Sequence, residues 1–197
     1  MSEEKAVGVS VAILCGGRSA RFGSDKALHE IDGKPMYRHV WDRLSGITDD
    51  IFLQVAKGES RIKGELNEDL RAERGPLGGI ASALLRARHG MVFVVACDMP
   101  FVDPRIVGHL IAAGDADIVV PRWRDGKTEP TCALYSKGVA PVAGELTKDG
   151  PARISRLFTQ GLKVRFVQIE PLIESERLTE DCFLNVNMPE DLERRRS

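Results

Sequence analysis

The run from Val7 to Leu14 is short, apolar and β-branched, and it ends abruptly at Gly16-Gly17. Such a run reads as a strand covered on both faces, which belongs to a parallel sheet flanked by helices rather than to a half-solvated ribbon. The rest of the chain repeats the alternation. Behind Gly33-Lys34-Pro35, Met36, Val40, Trp41 and Leu44 recur at helical spacing, with Pro35 suited to a first helical turn. Ile51 to Ala56 reads as a second strand. After the polar stretch 57–74, "GPLGGIASALLRAR" places Leu77, Ile80, Ala81, Leu84 and Leu85 on one helical face.

Met91 to Ala96, "MVFVVA", is the most continuously apolar strand, and it delivers Cys97-Asp98-Met99-Pro100 at its carboxyl end. "DPRIVGHLIAAG" then predicts a helix, and "ADIVVPRW" and "TCALY" predict strands around a turn at Arg124-Asp125-Gly126. "PARISRLFTQG" reads as helical, "LKVRFVQI" alternates like a strand, and "MPEDLERRR" reads as a closing helix begun by Pro189. The order predicts an α/β fold, a Rossmann-like doubly wound, mostly parallel sheet with helices on both faces. In such sheets ligands bind outside the carboxyl ends of the strands.

Bulk properties narrow the partners. A chain of 197 residues suits a single domain spanning 1–197, large enough to bury roughly 70% of its unfolded surface without covalent staples. Twenty-eight basic residues face 29 acidic ones, for a net charge of −1, so neither a nucleic-acid footprint nor an acidic tail is expected. Cys15, Cys97, Cys132 and Cys182 are too scattered for a zinc site and read as buried thiols of a reducing compartment, the cytoplasm. The N-terminus does not resemble a secretory signal, and no apolar run is long enough to span a membrane.

The segment "AILCGGRSARFGSDKAL" carries the first candidate site. Gly16 and Gly17 remove side chains that would keep a ligand from the backbone N–H groups, while Arg18, Arg21 and Lys26 add positive charge, which together suit a phosphate. The Walker pattern fails because Gly23 is followed by Ser24 and Asp25 before Lys26, and the glycines at 16, 17 and 23 do not form the dinucleotide fingerprint. An ordinary tight turn beside solvated arginines has the same pattern. Asp98, at the end of the most apolar strand, sits where a hard oxygen ligand holds Mg²⁺; a turn or N-cap residue before Pro100 is the alternative.

Together, "LCGGRSARFGSDKAL", "GPLGGI", "CDMPFV", "EPTCALY" and "FLNVNMPEDL", in that order, closely resemble the molybdenum cofactor guanylyltransferase family. The resemblance spans nearly the whole chain. Its opening is shared with other nucleotidyltransferases, whereas the combination with the N-V-N-x-P ending is specific. It implies a nucleotide-diphospho-sugar transferase-like fold and transfer of GMP from GTP to the phosphate of molybdopterin, with release of pyrophosphate and Mg²⁺ as cofactor. Carried over by position, Gly16, Gly17, Arg21, Gly23 and Lys26 would hold the triphosphate, Asp98 the metal, and Leu14 and Gly79 the neighbourhood of the guanine; Lys26, Arg21 and Asp98 would be the catalytic set. The family's nucleotide-binding aspartate falls on Glu68 or Asp69. Cys15 departs from the usual alanine, and Met188 from the usual threonine. Relatives that select cytidine carry Ala-Ala-Gly in place of Cys15-Gly16-Gly17, which favours guanine.

Asn185 and Asn187, two apart, would face the same way in an extended segment. The resemblance places them near the metal or the pterin, although asparagines shaping a turn before Pro189 would look the same. Arg122, Arg124, Arg153 and Arg156 are candidates for a phosphorylated pterin, with plain surface solvation as the alternative. A phosphate monoester has a second pKa of about 6 and needs no general base, in keeping with His29, His39, His89 and His109 forming no catalytic motif. The implied partners are GTP, molybdopterin and, transiently, other cofactor-biosynthesis or acceptor proteins. The competing readings are a cytidylyltransferase or sugar-1-phosphate nucleotidyltransferase on the same scaffold, or a nucleotide-sensing domain without turnover.

Overall fold

The computed structural model describes residues 8–16, 26–175, 177–188 and 190–192. Strand β1 (Val9–Leu14) is the spine of the fold: its six residues are all buried. It pairs in parallel with β4 (Ile51–Val55) on one side and β6 (Met91–Ala96) on the other. With β5 (Leu66–Glu68), β7 (Ile118–Arg122), β8 (Cys132–Ser136) and β9 (Val164–Gln168) they form one sheet in the order β5-β4-β1-β6-β8-β7-β9. Only β8 runs against its neighbours; the other pairings are parallel.

Alternation along the strands divides the core between the two faces. Val11, Ile13, Leu53, Phe93 and Val95 pack with Tyr37, Val40 and Leu44 of α1 (Met36–Leu44) and Ile106 and Leu110 of α3 (Arg105–Ala112). Ala12, Leu14, Phe52, Val92 and Val94 pack with Leu77, Ile80 and Leu84 of α2 (Gly75–Arg86) and Ala140 and Ala143 of α4 (Ala140–Leu146). This is the expected doubly wound arrangement. The crossovers from β1 lead outward through β4 to β5, and α2 then returns the chain to β6 on the opposite side of β1, so the strand order reverses between β1 and β6. That reversal opens a crevice at the carboxyl edge.

Local structure departs from the sequence reading in several places. Pro35 is not in the first helical turn; with ψ at 143° it is extended, pairs with Glu30 and caps α1 from outside. It closes a two-stranded ribbon, β2 (Glu30–Ile31) and β3 (Lys34–Pro35), around Asp32 and Gly33, both at positive φ, as a two-residue hairpin turn demands. The polar stretch 57–74 conceals the edge strand β5. Residues Ile154–Thr159 form a 3₁₀ helix, and a short helix, α5 (Glu170–Glu174), follows β9. Of the expected closing helix, residues 190–192 are helical, while Pro189 and 193–197 lie outside the described residues.

Candidate active site at the carboxyl edge

Backbone hydrogen bonds extend beyond the strand ends and fix the site's floor. The Cys15 N–H donates to Gln54 O (2.8 Å), Cys97 N–H to Leu14 O (3.1 Å) and Asp69 N–H to Val55 O (2.9 Å). The residues just past β1, β6 and β5 are thereby held at one rim. A cavity of about 700 Å³ opens there, lined among others by Leu14, Gly16, Lys26, Gln54, Asp69, Gly79, Asp98 and Asn185. Residues from positions 14 to 185 therefore meet because the parallel strands all end on the same edge.

One pole of the cavity lies at β1 and β6. Lys26 Nζ donates to Asp98 Oδ2 (2.7 Å) and to Asn187 Oδ1 (2.5 Å). The Val186 N–H donates to the Asp98 carbonyl (2.8 Å), so the C-terminal segment is tied across the end of β6. Asn187 N–H and Met188 N–H both donate to Asp191 Oδ2 (2.7 and 2.9 Å), and Asn187 Nδ2 donates to the Asn185 carbonyl (3.2 Å). The second oxygen of Asp98, Oδ1, is buried with no hydrogen-bond partner among the described residues. An anionic oxygen in that state calls for a cation. No group of three or more His, Cys, Asp or Glu side chains suited to a metal occurs among the described residues. A single hard oxygen is the donor set of a magnesium-type ion, which takes most of its ligands from water and substrate phosphates.

The other pole lies at β4, β5 and the start of α2. Gln54, the one polar residue of "IFLQV", is buried; its Nε2 donates to Asp69 Oδ1 (2.7 Å) and its Oε1 accepts from Asn67 Nδ2 (2.5 Å). Burial pushes the Asp69 carboxyl above its ordinary range, and the Gln54 amide offsets part of that rise. A Cβ placed on Gly79 would meet Asp69 Oδ1, Leu14 Cδ2 and Gln54 Cγ at 3.5–3.8 Å, which is ordinary contact. Packing within the protein does not require glycine here; its absence of a side chain leaves a flat wall for a ligand.

The candidates from the sequence divide clearly. Leu14, Gly16, Lys26, Asp69, Gly79, Asp98 and Asn185 line one cavity, and Asn187 is bonded to Lys26. Gly17, Arg18, Arg21 and Gly23 lie outside the described residues. Glu68, at the end of β5, is exposed and does not line the cavity, whereas Asp69, one residue on, does. Arg153 and Arg156 are not brought to the cavity, because Ile154 and Leu157 anchor their 3₁₀ helix on the core and the arginines stay exposed. Arg156 instead borders a separate shallow pocket with Glu145 and Asp149. Arg122 lies over the Phe166 ring (4.7 Å), and Arg124 bonds Glu174 Oε1 (2.5 Å).

The histidines are engaged elsewhere. His39 Nε2 bonds the Ile31 carbonyl and His89 Nε2 bonds Asp49, while burial together with Arg177 and Arg105 lowers the pKa of His109. All four cysteines are buried and none is in a disulfide, and burial raises Cys182 to about 12. Sequence reasoning missed Gln54, Asn67 and Arg74. Only Gln54 carried a signal, a polar side chain inside an otherwise apolar strand.

Residues 11–164 match the MobA-like NTP transferase domain. The chain belongs to the MobA-like NTP transferase family. Its relatives include a probable molybdenum cofactor guanylyltransferase of Pyrococcus horikoshii, 33% identical, the match covering 92% of this chain and 95% of the relative. One of the same description from Thermococcus gammatolerans is 35% identical, with the same two coverages. Among solved structures, the molybdopterin-guanine dinucleotide biosynthesis protein A of Archaeoglobus fulgidus superimposes with a TM-score of 0.80 at 28% identity, covering 94% of this chain and 95% of that one. The family's fold is the doubly wound sheet described above, and residues 11–164 contain every cavity-lining candidate except Asn185.

Proposed function

We propose that this chain is a molybdenum cofactor guanylyltransferase: it transfers GMP from GTP to the phosphate of molybdopterin and releases pyrophosphate. The observation that carries the reading is the unpartnered, buried Oδ1 of Asp98 beside a cavity large enough for a nucleotide, with Lys26 on the other carboxylate oxygen. The guanine and the pterin come from the relatives' descriptions. The 197 residues act as one nucleotidyltransferase domain. No described helix is long and apolar enough to cross a membrane, and four buried cysteines outside any disulfide suit a reducing cytoplasm.

In this reaction an oxygen of the pterin's phosphate monoester attacks the α-phosphorus of GTP, a new P–O bond forms, and the bond to the β-phosphate oxygen breaks. The nucleophile is already deprotonated near neutral pH, so the site needs positioning and charge rather than a base. Asp98 Oδ1 would hold Mg²⁺, which supplies charge neutralisation on phosphate oxygens when bound. Lys26 has three donors; two are engaged by Asp98 and Asn187, and the third, without a partner among the described residues, would serve an oxygen of the leaving pyrophosphate. Gln54 and Asp69 would contact the nucleoside at the far pole, and Asn185 and Asn187 the acceptor side.

Pyrophosphate release from GTP plus molybdopterin tests the reading. Release is expected with Mg²⁺ and both substrates, and not when CTP replaces GTP. Turnover with CTP in preference to GTP would establish a cytidylyltransferase, and GTP binding without release a sensor.

A further inference from the structure

Arg74 lies outside the mechanism above, yet its placement is closely specified. It lines the cavity from the N-cap position of α2, where its side chain makes no capping hydrogen bond, and its Nε is buried without a hydrogen-bond partner among the described residues. Positive φ at both neighbours, Glu73 (57°) and Gly75 (65°), shapes the loop that presents it. A Cβ on Gly78 would overlap Arg74 Cβ, so glycine at 78 is what lets the arginine stem lie along the helix. The next residue, Gly79, forms the flat wall against Leu14, Gln54 and Asp69.

We propose that Arg74 reads the guanine, its guanidinium donating to the O6 and N7 edge of the base. The inference rests on the guanylyltransferase reading and adds a specificity-determining residue to it. Topology favours a base contact over a phosphate contact. The cation already placed for phosphates, Lys26, stands with Asp98 at the β1–β6 pole, whereas Arg74 stands with Asp69 and Gly79 at the β4–β5 pole. That wall combines a carboxylate acceptor with a forked donor. Guanine has two adjacent acceptors, O6 and N7, and donors at N1 and N2, so it matches both; adenine and cytosine put an amino donor where guanine carries O6.

The test is equilibrium binding of GTP, 7-deaza-GTP (carbon in place of N7), ATP and CTP, each with Mg²⁺, to the wild-type chain and to Arg74→Met and Arg74→Lys. The wild type is expected to bind 7-deaza-GTP about tenfold more weakly than GTP, and Arg74→Met to lose that penalty together with most of the GTP-over-ATP preference. Arg74→Lys keeps a charged donor able to reach O6 and N7 but not the planar fork, so its losses should be smaller than those of Arg74→Met. A full 7-deaza penalty retained in Arg74→Met, or equal losses for GTP and ATP in that variant, would overturn the proposal. So would the absence of a penalty in the wild type, a result that does not depend on any variant folding. A wild type without preference for GTP over ATP and CTP refutes the guanylyl reading itself, whereas a preference that survives removal of Arg74 refutes only the role of this arginine.

Discussion

Replacing Asp50 by Asn should weaken the fold and leave the chemistry intact. Asp50 is buried at the amino end of the sheet, opposite the cavity. Its Oδ2 accepts from Ser10 Oγ (2.5 Å) and Arg88 N–H (2.8 Å), and its Oδ1 from Arg86 Nη1 (2.7 Å), with Arg88 Nε at 3.1 Å. Burial alone would raise this carboxyl, but the Ser10 hydroxyl, the Arg88 amide and the two guanidinium groups outweigh it and hold the pKa at about 2, against an ordinary 3.8. That gap corresponds to about 2 kcal/mol of stability, fully present above pH ~4 and lost as pH falls toward 2. Loss of the charge among two arginines should cost roughly 2–3 kcal/mol at pH 7, a Tm lower by roughly 5–10 °C for a chain of this size. Urea melts at pH 7, 5 and 3.5 should show the wild-type advantage shrinking at the acid end. The kcat/KM of the folded variant should be unchanged, since the four steps along β4 from Asp50 to Gln54 put about 13 Å between the clamp and the cavity wall. A difference under about 0.5 kcal/mol at pH 7, or one equally large at pH 3.5, would refute the clamp.

Three further outcomes follow from the site. Asp98→Ala and Lys26→Ala should each lower kcat/KM by about a hundredfold or more, the cost of removing an electrostatic group aimed at developing charge; near-normal turnover would remove that residue from the mechanism. Asp69→Asn should raise the stability of the nucleotide-free protein at pH 7 while weakening GTP binding. Because burial raises the Asp69 pKa, its ionisation destabilises the fold as pH climbs through the folded value, and thermal melts with and without GTP separate the two effects. Gly78→Ala should displace the Arg74 stem and cut the GTP-over-ATP binding ratio about as far as Arg74→Met does, because the added Cβ overlaps Arg74 Cβ. An unchanged ratio would show that Gly78 does not govern the arginine.

The strand ends are the part of this site that the sequence made legible. A six-residue, β-branched apolar run such as "MVFVVA" reads as a covered strand, and the residues just after it emerge at the sheet's edge, which places Asp98 there. The pattern of "PARISRLFTQG" does not tell an α-helix from the 3₁₀ helix found at Ile154–Thr159, since the same buried residues anchor either form. Edge strand β5 escaped because an edge strand of three residues with one face in solvent carries no apolar run.

By itself, then, the chain's hydrophobic pattern determined the layers, the direction of most strands and which edge would carry ligands, because period-2 and period-3.6 burial are local properties of neighbouring residues. Only the tertiary structure put Asp69 rather than Glu68 on the cavity wall, joined Gln54 to Asn67 and Asp69, left Asp98 Oδ1 without a partner among the described residues, and laid Arg74 across Gly78. Those facts depend on contacts between elements far apart in the chain or on which way one side chain turns, and no local periodicity encodes either.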